Sequence, residues 1–179
     1  MSALAQSSAS LQPETFLFKD DGSIPNNKLP LLIYRGAFPA STPDLASVIE
    51  GRYAENDWSG TWRAGVFPFH HYHSTTHEVL TVYSGTATLQ LGGVQGSKFD
   101  VKAGDMIIIP AGVGHKRLSS DPDFGVVGAY PEGRRWDLLR GEPGERPQAD
   151  RNIAAVPLPK NDPLYGPGGP LIQIWKAVP

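Results

Sequence analysis

The most restrictive feature of the chain is the stretch from Gly65 to Gly85, GVFPFHHYHSTTHEVLTVYSG, where four of its five histidines fall between positions 70 and 77. The fifth, His115, lies in a second segment punctuated by glycine and proline, Gly104 to Ser119, GDMIIIPAGVGHKRLS. Imidazoles so concentrated suggest a metal site. The chain has no cysteine, which removes thiolate ligands, disulfides and a cysteine nucleophile together.

The two segments read Gly-x5-His-x-His-x4-Glu-x6-Gly and Gly-x5-Pro-x-Gly-x2-His-x3-Ser. In these the chain resembles the cupin superfamily, whose two signature motifs keep the same spacings. One departure is Ser119, where the second motif usually ends in Asn, a position that commonly serves a turn. The resemblance implies an all-β fold, a double-stranded β-helix or jelly-roll barrel, with four metal ligands at His71, His73, Glu78 and His115.

Strand geometry is consistent with that mapping. Alternate side chains share a face, so His71 and His73 point one way and Tyr72 the other, while Glu78 and His115 come from neighbouring strands. Imidazole nitrogens with one carboxylate suit a single divalent transition ion, Fe, Mn, Ni, Zn, Co or Cu, without choosing among them. His70 and His77 each sit beside a candidate ligand in sequence, His71 and Glu78, and alternation from those neighbours points them away from the cavity. His77 competes with Glu78, because cupins also tolerate three residues between the second histidine and the acid, but Glu78 keeps both the four-residue spacing and the distance to Gly85.

Arg63 shares parity with His71 and His73, with Pro68 able to disturb the phase, and Arg117 shares it with His115. Either, facing the cavity, would anchor a substrate carboxylate; the competing reading is a rim salt bridge. Tyr130, at a strand end, is a third substrate-binding candidate. Trp58, Trp62, Trp136 and Trp175 read first as packing residues.

At 179 residues the chain is one domain with a substantial core. Its 20 glycines and 17 prolines fit many short strands and tight turns. A net charge of -2 gives no basic footprint for nucleic acid. The opening MSALAQSSAS lacks the charged and apolar regions of a secretory signal, and no apolar run reaches transmembrane length, so the expectation is a cytoplasmic protein with no membrane partner.

Taken in order, residues 1–12 read as a flexible N-terminus and residues 13–60 as leading strands, at Glu14–Phe18 and Leu29–Tyr34, followed by one helix. That helix runs from Pro43 to about Tyr53, capped by Thr42, with Leu45, Val48 and Ile49 on its apolar stripe. Residues 61–131 hold the barrel core with both motifs, and residues 132–179 form a tail too proline-rich for helix in its middle but apolar enough to pack on the barrel. In many cupins the leading strands pair across a homodimer, which the resemblance extends to this chain. Over about Glu14 to Trp175 the chain looks like the YjlB-like cupins, a group that implies no particular activity.

The cupin barrel hosts several functions. The first expectation is a small metalloenzyme acting on a small oxygenated or anionic substrate, dioxygenase-like with a redox metal, or an isomerase or decarboxylase with Mn or Zn. The alternative is a non-catalytic, metal-dependent binding or sensor protein using the same cavity.

Overall fold

The computed structural model describes residues 9–179; the residues of the expected flexible terminus before position 9 lie outside it. Among the described residues nine strands form two antiparallel sheets, accompanied by three short helices. The strands are β1 (Glu14–Phe16), β2 (Leu31–Tyr34), β3 (Trp58–Ala64), β4 (Glu78–Ser84), β5 (Thr86–Leu91), β6 (Ser97–Lys102), β7 (Met106–Ile109), β8 (His115–Ser120) and β9 (Gly125–Pro131). One sheet has the order β1-β2-β7-β4-β9-β3 and the other β6-β5-β8. The leading strand β1 pairs with β2 of its own chain and forms an edge of the larger sheet.

Period-two alternation explains why the central strands of the large sheet are buried on both faces. Leu31, Ile33, Leu80, Ile107 and Val126 point toward the small sheet, where they meet Ala87, Leu89, Leu91, Phe99 and Val101. The intervening residues Leu32, Tyr34, Val79, Ile108 and Val127 point the other way, into a second core. A strand covered on both faces must read as a continuous apolar run, as Met106–Ile109 (MIII) does, with every residue buried.

Helix α1 (Leu45–Glu55) and the C-terminal tail cover that second face. The helix begins two residues later than the sequence suggested. Thr42 closes the preceding turn on the Pro39 carbonyl, while Asp44, at φ 47°, occupies the N-cap without a side-chain cap bond. Leu45, Ala46, Ile49 and Tyr53 form its buried face, and Val48 is exposed, because its position in the turn faces away from the sheet.

The tail departs further from expectation, since it contains two helices, α2 (Gln148–Ala155) and α3 (Pro170–Lys176). The prolines bound these helices instead of interrupting them: Pro147 is the N-cap of α2, and Pro170 opens α3, where its missing N–H has no helical partner to lose. Leu164, Leu171, Ile172 and Trp175 are buried against the sheet, whereas Leu158 and Tyr165 remain partly exposed. Buried Asp162 ties this segment down, accepting bonds from the Tyr34 hydroxyl and from the amides of Leu164 (2.8 Å) and Leu171 (3.0 Å).

Two motif glycines occupy backbone that a side chain would obstruct. Gly104 has φ 99°, and a Cβ there would meet the Phe38 carbonyl oxygen at 2.2 Å; Gly85 has φ 70°, with Phe124 backbone at 2.9 Å. Both glycines fix turns that deliver strands to the site end of the sandwich.

Candidate metal centre

The first motif is not a regular strand where the histidines lie. Residues between β3 and β4 run irregularly, and His71 makes an isolated bridge to His115, each amide donating to the other's carbonyl at 3.2 and 2.9 Å. Alternation nevertheless holds. His71 and His73 point between the sheets, and Tyr72 points out to pack with Ile24 and Ala149 and to donate to Glu145 Oε2 at 2.8 Å. Glu78 opens β4 opposite Ile109 of β7, and the Pro110–Gly114 turn after β7 delivers His115 at the head of β8.

Four buried polar side chains converge here. One ring nitrogen from each of His71, His73 and His115 lies within 4.8 Å of the others. Glu78 Oε2 is 3.2 Å from His73 Nε2, and its Oε1 is 3.2 Å from His115 Nε2. Two ligands held at roughly 2.1 Å from an ion and at right angles to each other are about 3 Å apart, so these separations match neighbouring ligands of one ion.

The backbone decides which nitrogen is free. His71 Nδ1 faces the Phe69 carbonyl at 3.0 Å, His115 Nδ1 faces the Val113 carbonyl at 3.1 Å, and His73 Nδ1 faces the Asp137 carbonyl. A carbonyl only accepts, so each Nδ1 carries the proton and each neutral ring presents its Nε2 lone pair inward. His115 Nε2, despite its nearness to Glu78, has no hydrogen-bond partner among the described residues. A buried acceptor without a donor is costly, and a cation at the centre of the four groups would satisfy it. The donor set, its burial and the fixed tautomers therefore fit a divalent transition ion.

Without an ion the four groups act on one another. Burial pushes the His71 imidazole down to about 3, with the neighbouring His115 adding to the effect. Burial opposes ionisation of Glu78, but His73 and His115 outweigh it and hold the carboxyl well below its ordinary range. Burial also lowers His73, and Glu78 more than reverses this, so that His73 is raised. Without metal, Glu78 and His73 therefore lean on each other.

The tetrad forms part of the lining of a cavity of about 290 Å³, completed by residues 64–67 and by Trp62, Leu80, Tyr130 and Trp136. Tyr130 accepts a bond from Trp62 Nε1 at 2.8 Å; burial and the nearby Glu78 carboxylate raise its pKa, keeping the phenol protonated. Trp136 stacks on Tyr130 and meets the His73 ring edge-on at 5.5 Å.

Arg63 corrects the sequence reading. Its guanidinium lies outside the cavity, donating to Glu50 Oε1 at 2.6 Å and to Ser47, because the irregular stretch through Pro68 breaks the parity between β3 and His71. Trp62 takes the inward direction instead. Arg117 is not among the cavity-lining residues either; its Nε donates to the Val66 carbonyl at 3.1 Å, which commits it to holding the wall from behind.

His77 and His70 also lie away from the centre. His77 is buried against Trp175, ring centroids 4.7 Å apart, and its Nδ1 accepts from the Ala111 amide at 2.9 Å. Burial pushes it down to about 4, so it is a neutral core residue. His70 is half-buried, and burial lowers its pKa.

Asp137 stands in no motif that would have singled it out. Its carboxylate accepts from the Ser74 amide (2.7 Å) and hydroxyl, and its carbonyl faces His73. Only the fold brings this residue, 63 positions away, to Ser74. Trp62 and Trp136 were visible as packing residues, but their place on the cavity was not.

Residues 62–119 match the model of the Cupin domain family. A Bacillus subtilis (strain 168) relative, Uncharacterized protein YjlB, is 47% identical over 165 residues, covering 92% of this chain and 97% of the relative. Among solved structures, acireductone dioxygenase from Bacillus anthracis is 17% identical, covering 62% of this chain and 78% of that one at a TM-score of 0.37. A Klebsiella pneumoniae protein with a double-stranded β-helix domain is 20% identical, covering 74% and 88% at a TM-score of 0.36. Likenesses at that level say nothing about the site. The identity to the Bacillus subtilis protein, sustained over nearly all of both chains, shows that this protein belongs to the cupins, in the YjlB-like group.

Proposed function

We propose that this protein is a metal-dependent cupin enzyme, a double-stranded β-helix that holds one divalent transition ion through Nε2 of His71, His73 and His115 and the carboxylate of Glu78. The observation that carries this reading is the set of three imidazoles whose Nδ1 protons are all committed to backbone carbonyls, so that three Nε2 lone pairs meet one carboxylate at the wall of a cavity. Once bound, the ion would supply Lewis-acid polarisation, or oxygen chemistry if it is iron, copper or nickel.

The chain's own residues prepare the rest. The largely apolar walls would shield a bound substrate, Glu78 would offset the ion's charge, and Tyr130 supplies a protonated hydroxyl to the cavity lining. A dioxygenase-like reaction fits a redox-active ion, and an isomerisation or decarboxylation fits manganese or zinc.

A second reading, metal-dependent binding without turnover, has one observation in its favour. Outside the tetrad, Tyr130 is the one titratable side chain among the described cavity-lining residues, so acid–base machinery is sparse. Elemental analysis of protein purified without added metal or chelator, followed by oxygen-uptake and product assays, separates the readings. Bound metal with turnover supports the enzyme, and bound metal with a ligand recovered unchanged supports the binding protein. A well-folded protein that takes up no transition metal overturns both.

A further inference from the structure

The sequence left the substrate open between an oxygenated molecule and an anion. We infer that the cavity selects a small uncharged molecule, about one aromatic ring in size, that turns one or two oxygen atoms toward the tetrad and keeps an apolar body against the opposite wall. This inference rests on the metal-centre reading for the position of those oxygens, and on the cavity alone for the rest of the ligand.

The walls carry the argument. Around the tetrad stand Trp62, Val66, Phe67, Leu80 and Trp136, which offer mostly carbon surface, the exceptions being the Trp62 Nε1 already given to Tyr130 and the Trp136 indole N–H, a single neutral donor. No lysine or arginine is among the described residues lining the cavity. Arg63 is engaged with Glu50, Arg117 donates to the Val66 carbonyl, and Arg140 lies over the ring of Phe69 at 3.9 Å.

A dicarboxylate could give one end to an ion, but the other end would lie desolvated and unpaired on aromatic surface. A sugar would bury several hydroxyls where Tyr130 provides the one side-chain hydroxyl of the lining, and each unpaired hydroxyl weakens binding roughly tenfold or more. A planar apolar ring meets no such penalty and stacks on the aromatic walls.

Size and access point the same way. At about 290 Å³ the cavity sits at the low end of small-molecule sites, which span roughly 300–1,000 Å³. Two large apolar residues of its lining, Phe67 at 47% and Trp136 at 48%, are left exposed, the arrangement expected of an entrance for an apolar ligand.

The test is titration calorimetry at pH 7 on the full chain, metal-free and zinc-loaded, with catechol, malonate and xylose as probes. The expected result is catechol binding to both forms, more tightly with zinc, and at least about tenfold more tightly than malonate or xylose to the zinc form. Phe67→Arg, a change at an exposed position, should improve malonate binding relative to wild type. Malonate or xylose binding the wild-type zinc form as tightly as catechol overturns the inference, as does catechol binding to neither form. Catechol binding equally well with and without bound zinc overturns the placement of its oxygens at the tetrad, whereas a folded chain that takes up no zinc removes the metal-centre reading and leaves the ligand's body to be tested on the metal-free form.

Discussion

Two buried histidine environments lie a few residues apart in one stretch of chain, and they behave oppositely. At His71, His73 and His115 a backbone carbonyl faces Nδ1, which fixes the proton there and leaves Nε2 as a free donor of electrons. At His77 a backbone amide, that of Ala111, faces Nδ1, which uses the lone pair and places the proton on Nε2. Burial is the same in both, so burial does not distinguish a proposed ligand from a packing residue. The polarity of one backbone group does, and side-chain alternation sets which group each ring meets.

The contrast is open to direct attack, beginning with the His77 side. Trp175 packs on His77 and donates through Nε1 to the Pro30 carbonyl at 2.9 Å, so Trp175→Ala should cost about 3–5 kcal/mol of stability, read by denaturant unfolding. Its metal content under native conditions should be unchanged. On the other side, His115→Ala should lower metal affinity by more than about 100-fold, beyond the loss typical of residues that merely support ligands, with the protein still folded.

His77→Leu keeps the bulk of the ring and orphans the Ala111 amide, for a loss of about 1–3 kcal/mol with metal retained. If His77→Leu loses metal and Glu78→Leu keeps it, the assignment of the two neighbours is reversed. Asp137→Ala should lower metal affinity by roughly tenfold, because the Ser74 anchors that hold the carbonyl on His73 are lost. Binding calorimetry would show it.

The smallest effect concerns the outward neighbour of the proposed ligands, Tyr72. Its partner Glu145 is disfavoured as an anion by burial, but the amides of Arg140 and Gly141 and the Tyr72 hydroxyl outweigh this and hold it below its ordinary 4.5. A depressed acid stabilises the fold fully above the unfolded value and loses that contribution as pH falls below it. Hydrogen-exchange protection around Leu139–Glu145, taken relative to the intrinsic exchange rate at each pH, should therefore fall below about pH 4.5 in the wild type. In Glu145→Gln that fall in protection should be absent.

The tetrad was legible because each member sits at a fixed spacing from a turn glycine, and both strand alternation and the family resemblance act on spacing. The apolar runs of β2 and β7 announced their burial for the same reason. Arg63 was misplaced because parity was carried across Pro68, where the chain leaves strand geometry. The tail helices were missed because prolines at helix starts look, in sequence, like prolines that break helices. Asp137 and the cavity positions of Trp62 and Trp136 depend on contacts between distant segments, which local patterns do not encode.

The most direct test of the account is the metal content of wild-type and His115→Ala protein, each purified without added metal or chelator and then titrated with a divalent transition ion. The account predicts close to one ion per chain in the wild type and little in the variant, with both folded. No uptake by folded wild type, or equal uptake by the variant, would contradict it.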